Sequence, residues 1–176
     1  MVFNTDVNPD NAKLKDYFTW RATAVTEHQK VNLINKLAGE IVLKGKFLAY
    51  CNLSAAPEMR EYGKMAFPKG SKLTYFTLTT KSGQQVFPVF TDKEEIAKWK
   101  DAADREKVTM LVTFDDFVPI LKSNSSIAGI VINPMSDNFP LSRKIVADWM
   151  TKKIQIVKNI MEQRKKKEES EKQEDR

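Results

Sequence analysis

The sequence predicts an α+β fold: a mixed β-sheet containing a parallel β-α-β-α-β unit over about residues 86–132, an antiparallel hairpin portion N-terminal to it, and flanking helices that include a long C-terminal one. Three phrases carry this expectation. Phe87-Pro88-Val89-Phe90-Thr91-Asp92, Val108-Thr109-Met110-Leu111-Val112-Thr113-Phe114 and Gly129-Ile130-Val131-Ile132-Asn133-Pro134 each run an apolar, partly β-branched stretch into a polar residue suited to start a helix or make a turn. One-sided helical patterns lie between them, and connections of that length fit parallel strands with right-handed crossovers.

Taken in chain order, residues 1–25 are the least informative. Asn8-Pro9-Asp10-Asn11 reads as a turn, and Tyr17, Phe18 and Trp20 form an aromatic group expected to cap the core rather than bind a ligand. Thr26 and Gln29 have the spacing of a capping box, so a helix is expected through about residue 38, with Val31, Ile34, Leu37 and Ala38 inward and Gly39 as its stop. Residues 41–43 and 47–53 are strand-like, separated by a Lys44-Gly45-Lys46 turn. Residues 54–70, with Pro57, Gly63, Pro68 and Gly70, form a long candidate loop of the kind that borders sites. Residues 72–80 alternate, and Lys81-Ser82-Gly83-Gln84 turns them back into residue 86, where Pro88 should make the second arm irregular.

Thr91-Asp92-Lys93-Glu94 has capping-box spacing, so a helix should start at Asp92 with Ile96, Trp99 and Ala103 inward. Thr113 to Asp116 repeats the pattern ahead of Phe117, Ile120 and Leu121, although Pro119 limits or kinks that helix. Ser123-Asn124-Ser125-Ser126 is loop chemistry, and the apolar run 127–132 suits a strand buried on both faces. After a loop over 135–139, a long helix is expected from Pro140 or Ser142. Ile145, Val146, Trp149, Met150, Ile156, Val157, Ile160 and Met161 share one stripe, broken at Lys152-Lys153. Its first half should pack on the sheet and its second half project. From Arg164 onward the residues are polar or charged, which suits a helical or disordered tail. The domain reading is an N-terminal extension over 1–25, one globular domain over 26–161 and a charged tail over 162–176.

With 176 residues the chain suits a single core, and 41% apolar with 30% charged residues is an ordinary globular composition. One cysteine excludes an internal disulfide, the first eleven residues show no apolar leader, and no run approaches the roughly twenty apolar residues of a membrane helix. A cytoplasmic protein with no membrane partner is expected. The charge of +6 raises nucleic acid as a partner, but the basic residues are scattered among acids and no RNA-binding signature appears, so a solvated basic surface is favoured.

Catalytic constellations are sparse. A single histidine, His28, stands among polar neighbours, and one Cys with one His cannot make a structural zinc site. No P-loop, dinucleotide fingerprint or nucleophile elbow occurs, so no cofactor is implied. Cys51 lies in an apolar strand, where a buried inert thiol is the default. Asp115 and Asp116 are adjacent on a helix and point about 100° apart, which suits the helix N-terminus better than acid/base work.

The Pro-Val-Phe-Thr phrase at residues 88–91 before an acidic helix with a Trp, and the Gly-Ile-Val-Ile-Asn-Pro phrase at 129–134, resemble the N-terminal domain of the SseB (enhanced serine sensitivity protein B) family. The resemblance runs from about residue 73 to 149 and, more loosely, from about residue 28. It implies the fold, and the family name loosely implies a link to serine or sulfur metabolism. The second domain of longer family members is not expected here.

The three expected strands would deliver Thr91, Asp92, Thr113, Asn133 and Pro134 to one sheet edge, where helix N-termini offer free N–H groups. That edge is the candidate site for a peptide, a partner loop or a small anion; the plainer alternative is that the threonines cap helices and Asn133-Pro134 makes a turn. The favoured function is a non-enzymatic protein-interaction or accessory module, whose partner is another protein or peptide, or a second copy met through Ile156, Val157, Ile160 and Met161. The alternative is an enzyme or enzyme regulator of serine or sulfur metabolism.

Overall fold

The computed structural model describes residues 2–3, 7–55, 58–59, 65–66, 68–100 and 108–174, with side chains over 7–55, 68–100 and 108–164. Its fold is built around β2 (Lys46–Leu53). Phe47, Leu48, Ala49 and Cys51 are all fully buried, so β2 is covered on both faces and occupies the middle of the structure. On one side it pairs antiparallel, from Lys46↔Thr113 to Cys51↔Val108, with β8 (Val108–Thr113), whose far edge takes β1 (Val2–Phe3). On the other side it has two neighbours. Leu48 exchanges two 2.8 Å hydrogen bonds with Phe90, and further along Cys51 pairs with Tyr75 of β5 (Leu73–Tyr75).

Phe90 directly follows β7 (Gln85–Val89), which runs parallel to β9 (Ile127–Ile132); β10 (Phe139–Ser142) then lies antiparallel on β9, and β6 (Leu78–Thr79) on β7. Two four-stranded sheets, β1-β8-β2-β5 and β10-β9-β7-β6, thus touch at the Leu48–Phe90 bridge and splay apart where the 73–79 segment supplies a strand to each. A short ladder of β3 (Glu58–Met59) with β4 (Met65–Ala66) stands apart.

The α+β class, the mixed sheet and the long C-terminal helix match the expectation from sequence. The parallel β-α-β-α-β unit does not: β8 joins the antiparallel sheet and is separated from β7 by β2. Local spacing had made β7 and β8 neighbours, but β2 is apolar on both faces and fills the central slot. Because β8 and Phe90 both pair antiparallel with β2, β8 and β7 still run in the same sense. Their ends, with that of β9, reach one rim.

Four helices cover one face: α1 (Ala12–Thr23), α2 (Glu27–Leu43), α4 (Phe114–Ser123) and the long α5 (Arg143–Glu174). Leu37, Phe47, Phe87, Met110, Phe117 and Ile130 are among their fully buried core. The opposite face carries α3 (Lys93–Ala97) and a smaller cluster of Leu48, Phe90, Ile96 and Trp99, with the Trp99 ring stacked on Phe90 at 5.9 Å.

Several local expectations change. The Thr26–Gln29 capping box forms, but α2 runs through Gly39 to Leu43, so residues 41–43 are helix and not strand. Ile41 is fully buried in that last turn, and the Lys44 and Gly45 amides close it on the Glu40 carbonyl at 3.0 and 2.8 Å. Gly39 makes no stop because nothing there requires a left-handed backbone. Burial follows Leu37, Ile41 and Val42, and Val31 and Ile34 face outward. Residues 12–23, unassigned from sequence, form α1 and insert Leu14 and Phe18 into the core, while Trp20 stays half exposed.

At α3 the cap is Asp92, one residue later than expected: its Oδ1 accepts from the Glu95 amide at 2.9 Å. Ala103, placed on that helix's inner stripe, falls outside the described residues. At α4 the box forms as read, with Asp116 Oδ2 accepting from the Thr113 amide at 2.8 Å, and the helix continues past Pro119. Residues 139–142 pair as β10 instead of forming loop or helix. Ser142 Oγ then accepts from the Ile145 amide at 3.3 Å as α5 begins.

Candidate functional site

The rim is assembled from the end of β7, the end of β9 and the start of the chain. Asn133 follows β9 with a left-handed φ of 47°, which asparagine tolerates better than most residues. That turn aims its amide at Thr91. Asn133 Oδ1 accepts from the Thr91 amide at 2.9 Å, and Asn133 Nδ2 donates to Thr91 Oγ1 at 3.0 Å and to Asp137 Oδ2 at 2.8 Å. The Thr91 hydroxyl in turn donates a hydrogen bond to Asp92 Oδ2 at 2.9 Å. Thr91, Asp92 and Asn133 are all buried.

The N-terminal segment completes the rim. Asn11 precedes α1 but does not cap it with its side chain. Its Nδ2 instead donates to the carbonyls of Lys46 and Thr91 at 2.6 and 2.7 Å, tying the start of β2 to the end of β7 where the two sheets meet. Lys15 reaches Asp92 at 3.0 Å, and Asn8 Oδ1 accepts from the Lys93 amide at 2.9 Å. Beyond them, Glu95 accepts from Lys98 at 2.6 Å and from Ser136 at 2.5 Å.

Asp92 and Glu95 each have a lysine beside them. Burial pushes the Asp92 carboxyl up, but the Glu95 amide, the Lys15 ammonium and the Thr91 hydroxyl together outweigh it and hold Asp92 below the ordinary aspartate value. Lys15 is raised in return, chiefly by its hydrogen bond to Asp92, and Lys98 is raised by its hydrogen bond to Glu95. These contacts tie the ends of β7 and β9, the start of β2 and the N-terminal segment to one another, forming a clasp that holds the strand ends in register.

Of the five residues proposed from sequence, Thr91, Asp92 and Asn133 come together. Pro134 follows Asn133 as the next residue of its turn. Thr113 lies at the same rim but outside the cluster, opposite Lys46 on β2, and its hydroxyl donates to Asp116 at 3.1 Å. Sequence reasoning missed Asn11, Lys15, Glu95, Ser136 and Asp137. An asparagine just before a helix reads as a cap, and nothing local reveals that its amide spans two strands.

Cys51 is fully buried in β2, directs its Sγ at the Val108 carbonyl at 3.5 Å, and has its thiol pushed up to about 11 by burial. Trp99 Nε1 is buried and has no hydrogen-bond partner among the described residues. Among the described residues no group of three or more His, Cys, Asp or Glu is placed to hold a metal, and no helix is long and apolar enough to cross a membrane.

A second feature lies on the helical side. Lys153 of α5 meets Asp115, in the first turn of α4, at 2.7 Å, which marks where α5 passes the rim. Past that point Ile154, Ile156, Val157, Ile160 and Met161 are each 37–59% exposed. At 1.5 Å per residue the helix extends roughly 30 Å further. A groove of about 240 Å³, lined by Ala38, Gly39, Val42 and Leu43 of α2 and by Trp149 and Ile156 of α5, leads into this stripe.

No curated protein and no solved structure matches the chain. A family model, the SseB protein N-terminal domain, matches residues 22–148, from the end of α1 to the docked half of α5. The match covers well over half of the chain and contains both phrases that carried the resemblance, so this chain belongs to the SseB N-terminal domain family.

Proposed function

We propose that this chain is a non-enzymatic protein-interaction module, accessory or regulatory to another protein, and that its contact surface is the projecting half of α5 with the groove beside it. The observation that carries this reading is the contrast between two surfaces. The polar side chains of the rim are consumed by one another, whereas Ile156, Val157, Ile160 and Met161 stand in solvent on a helix extending past the folded body. Apolar anchors at helical spacing, beside a groove, suit helix-mediated recognition. The buried, hydrogen-bonded Cys51 gives the alternative of a thiol enzyme in sulfur metabolism no support.

The test is capture from native lysate by the full chain and by its Ile156→Asp/Ile160→Asp variant. The reading expects one or a few proteins retained by the full chain and lost by the variant. The same proteins retained equally by both would contradict it.

A further inference from the structure

We propose that the α5 stripe and its groove receive a short amphipathic helix of a different protein, one whose apolar face is flanked by carboxylates at both ends. This rests on the interaction-module reading and specifies the chemistry of the partner. The chain holds 29 basic and 23 acidic residues, and residues 152–167 contain seven of the former against one of the latter. That stretch carries a net +6, the nine residues after it a net −3 and the remaining 151 residues a net +3, so positive charge is densest along the turns that hold the patch.

Within that stretch the apolar patch is bracketed by cations. Counting 100° per residue, Val146, Trp149, Met150 and Lys153 define the side of α5 that faces the domain, and Ile156, Val157, Ile160 and Arg164 continue it. Lys152 therefore lies at one end of the patch, next to Lys153, which is already paired with Asp115 at 2.7 Å, and Arg164 lies at the other. A second copy is a poor occupant in either orientation. Laid antiparallel about residue 158, Lys152 of one copy meets Arg164 of the other. Laid parallel, each cation meets itself. Opposed like charges of this kind discriminate against the wrong partner.

A bilayer fits no better. The patch points to the side on which the domain lies, so it overlooks the corner between α5 and the rim. A flat surface cannot enter that corner. A single helix about 10 Å across can, with one apolar side chain in the groove over Gly39, where nothing lies within 4 Å of an added Cβ. Its terminal carboxylates would meet Lys152 and Arg164, both exposed.

The experiment uses two synthetic helical peptides of about fourteen residues that share a two-turn leucine stripe. One ends in glutamates on both sides, the other in lysines. Binding to the full-length chain is read by fluorescence anisotropy. The glutamate-ended peptide should bind about tenfold or more tighter than the lysine-ended one, and weaken as salt is raised. Ile156→Asp should abolish binding of both, and Lys152→Glu should erase the preference between them. Equal affinity for the two peptides, or binding of neither, overturns the proposal. So does a dimer dissolved by Ile156→Asp, or release by that variant from vesicles of anionic lipid bound more tightly than the peptide. If the stripe variant loses its lysate partner while the two peptides bind alike, the module reading stands and the acidic-helix inference falls.

Discussion

Asn133 and Thr91 hold each other by two hydrogen bonds, amide to side-chain carbonyl at 2.9 Å and side-chain amide to hydroxyl at 3.0 Å, across the ends of the parallel pair β7 and β9. Both residues are buried, so removing one partner leaves the other's polar atoms without water. Asn133→Ala should cost about 3 kcal/mol, from unmet buried groups and from a left-handed alanine. Asn133→Gly keeps the first loss and relieves the second, so it should cost roughly 1 kcal/mol less. Urea unfolding of the two variants measures the difference, and equal stabilities would show that the backbone at residue 133 stores no strain.

Asp92 gives the fold an acid-sensitive component. Its folded-state pKa lies below the ordinary value, so the stability it supplies is present above the unfolded pKa and is lost as pH falls through the folded one. Between about pH 5 and about pH 2 the wild type should lose more stability than Asp92→Asn, which keeps an acceptor for the Glu95 amide but does not titrate. Parallel pH profiles for the two proteins would remove Asp92 from the account.

Two glycines on this fold should respond in opposite senses to alanine. A methyl at Gly129 would collide with the Leu141 carbonyl where β9 and β10 pass, so Gly129→Ala should destabilise by about 1–3 kcal/mol. Gly39 lies mid-helix with open space around it, so Gly39→Ala should stabilise by roughly 0.5–1 kcal/mol. Thermal unfolding distinguishes them by the direction in which Tm moves.

Cys51 should resist alkylation. With its thiol buried and pushed up to about 11, iodoacetamide should modify the native protein only through opening of the fold, on the order of a thousandfold or more below a free thiol. Labelling at a free-thiol rate would restore thiol chemistry as a functional candidate.

What was legible in the sequence followed from local rules. The Thr26–Gln29 and Thr113–Asp116 boxes, the strand at 127–132 and the two halves of α5 each depend on residues a few positions apart. What was not legible depends on distant partners. Spacing alone made β8 a neighbour of β7, and only the packing of β2, apolar on both faces, excludes that arrangement. The Thr91 box failed by one residue because Thr91 is claimed by Asn133, forty-two positions away, leaving Asp92 to cap α3. Val31 and Ile34 fit an inward stripe as well as Leu37 and Ile41 do, until α1 and α5 fix which side of α2 is covered.

The most direct test sets the clasp against the stripe in one experiment, measuring stability and lysate partner capture for Asn133→Ala and for Ile156→Asp/Ile160→Asp at a temperature where both are folded. A crossover is expected: the clasp variant is less stable and keeps its partner, and the stripe variant keeps its stability to within about 0.5 kcal/mol and loses its partner. A stable stripe variant that captures the partner as well as the wild type does, while the folded clasp variant fails to, would contradict it and return the function to the rim.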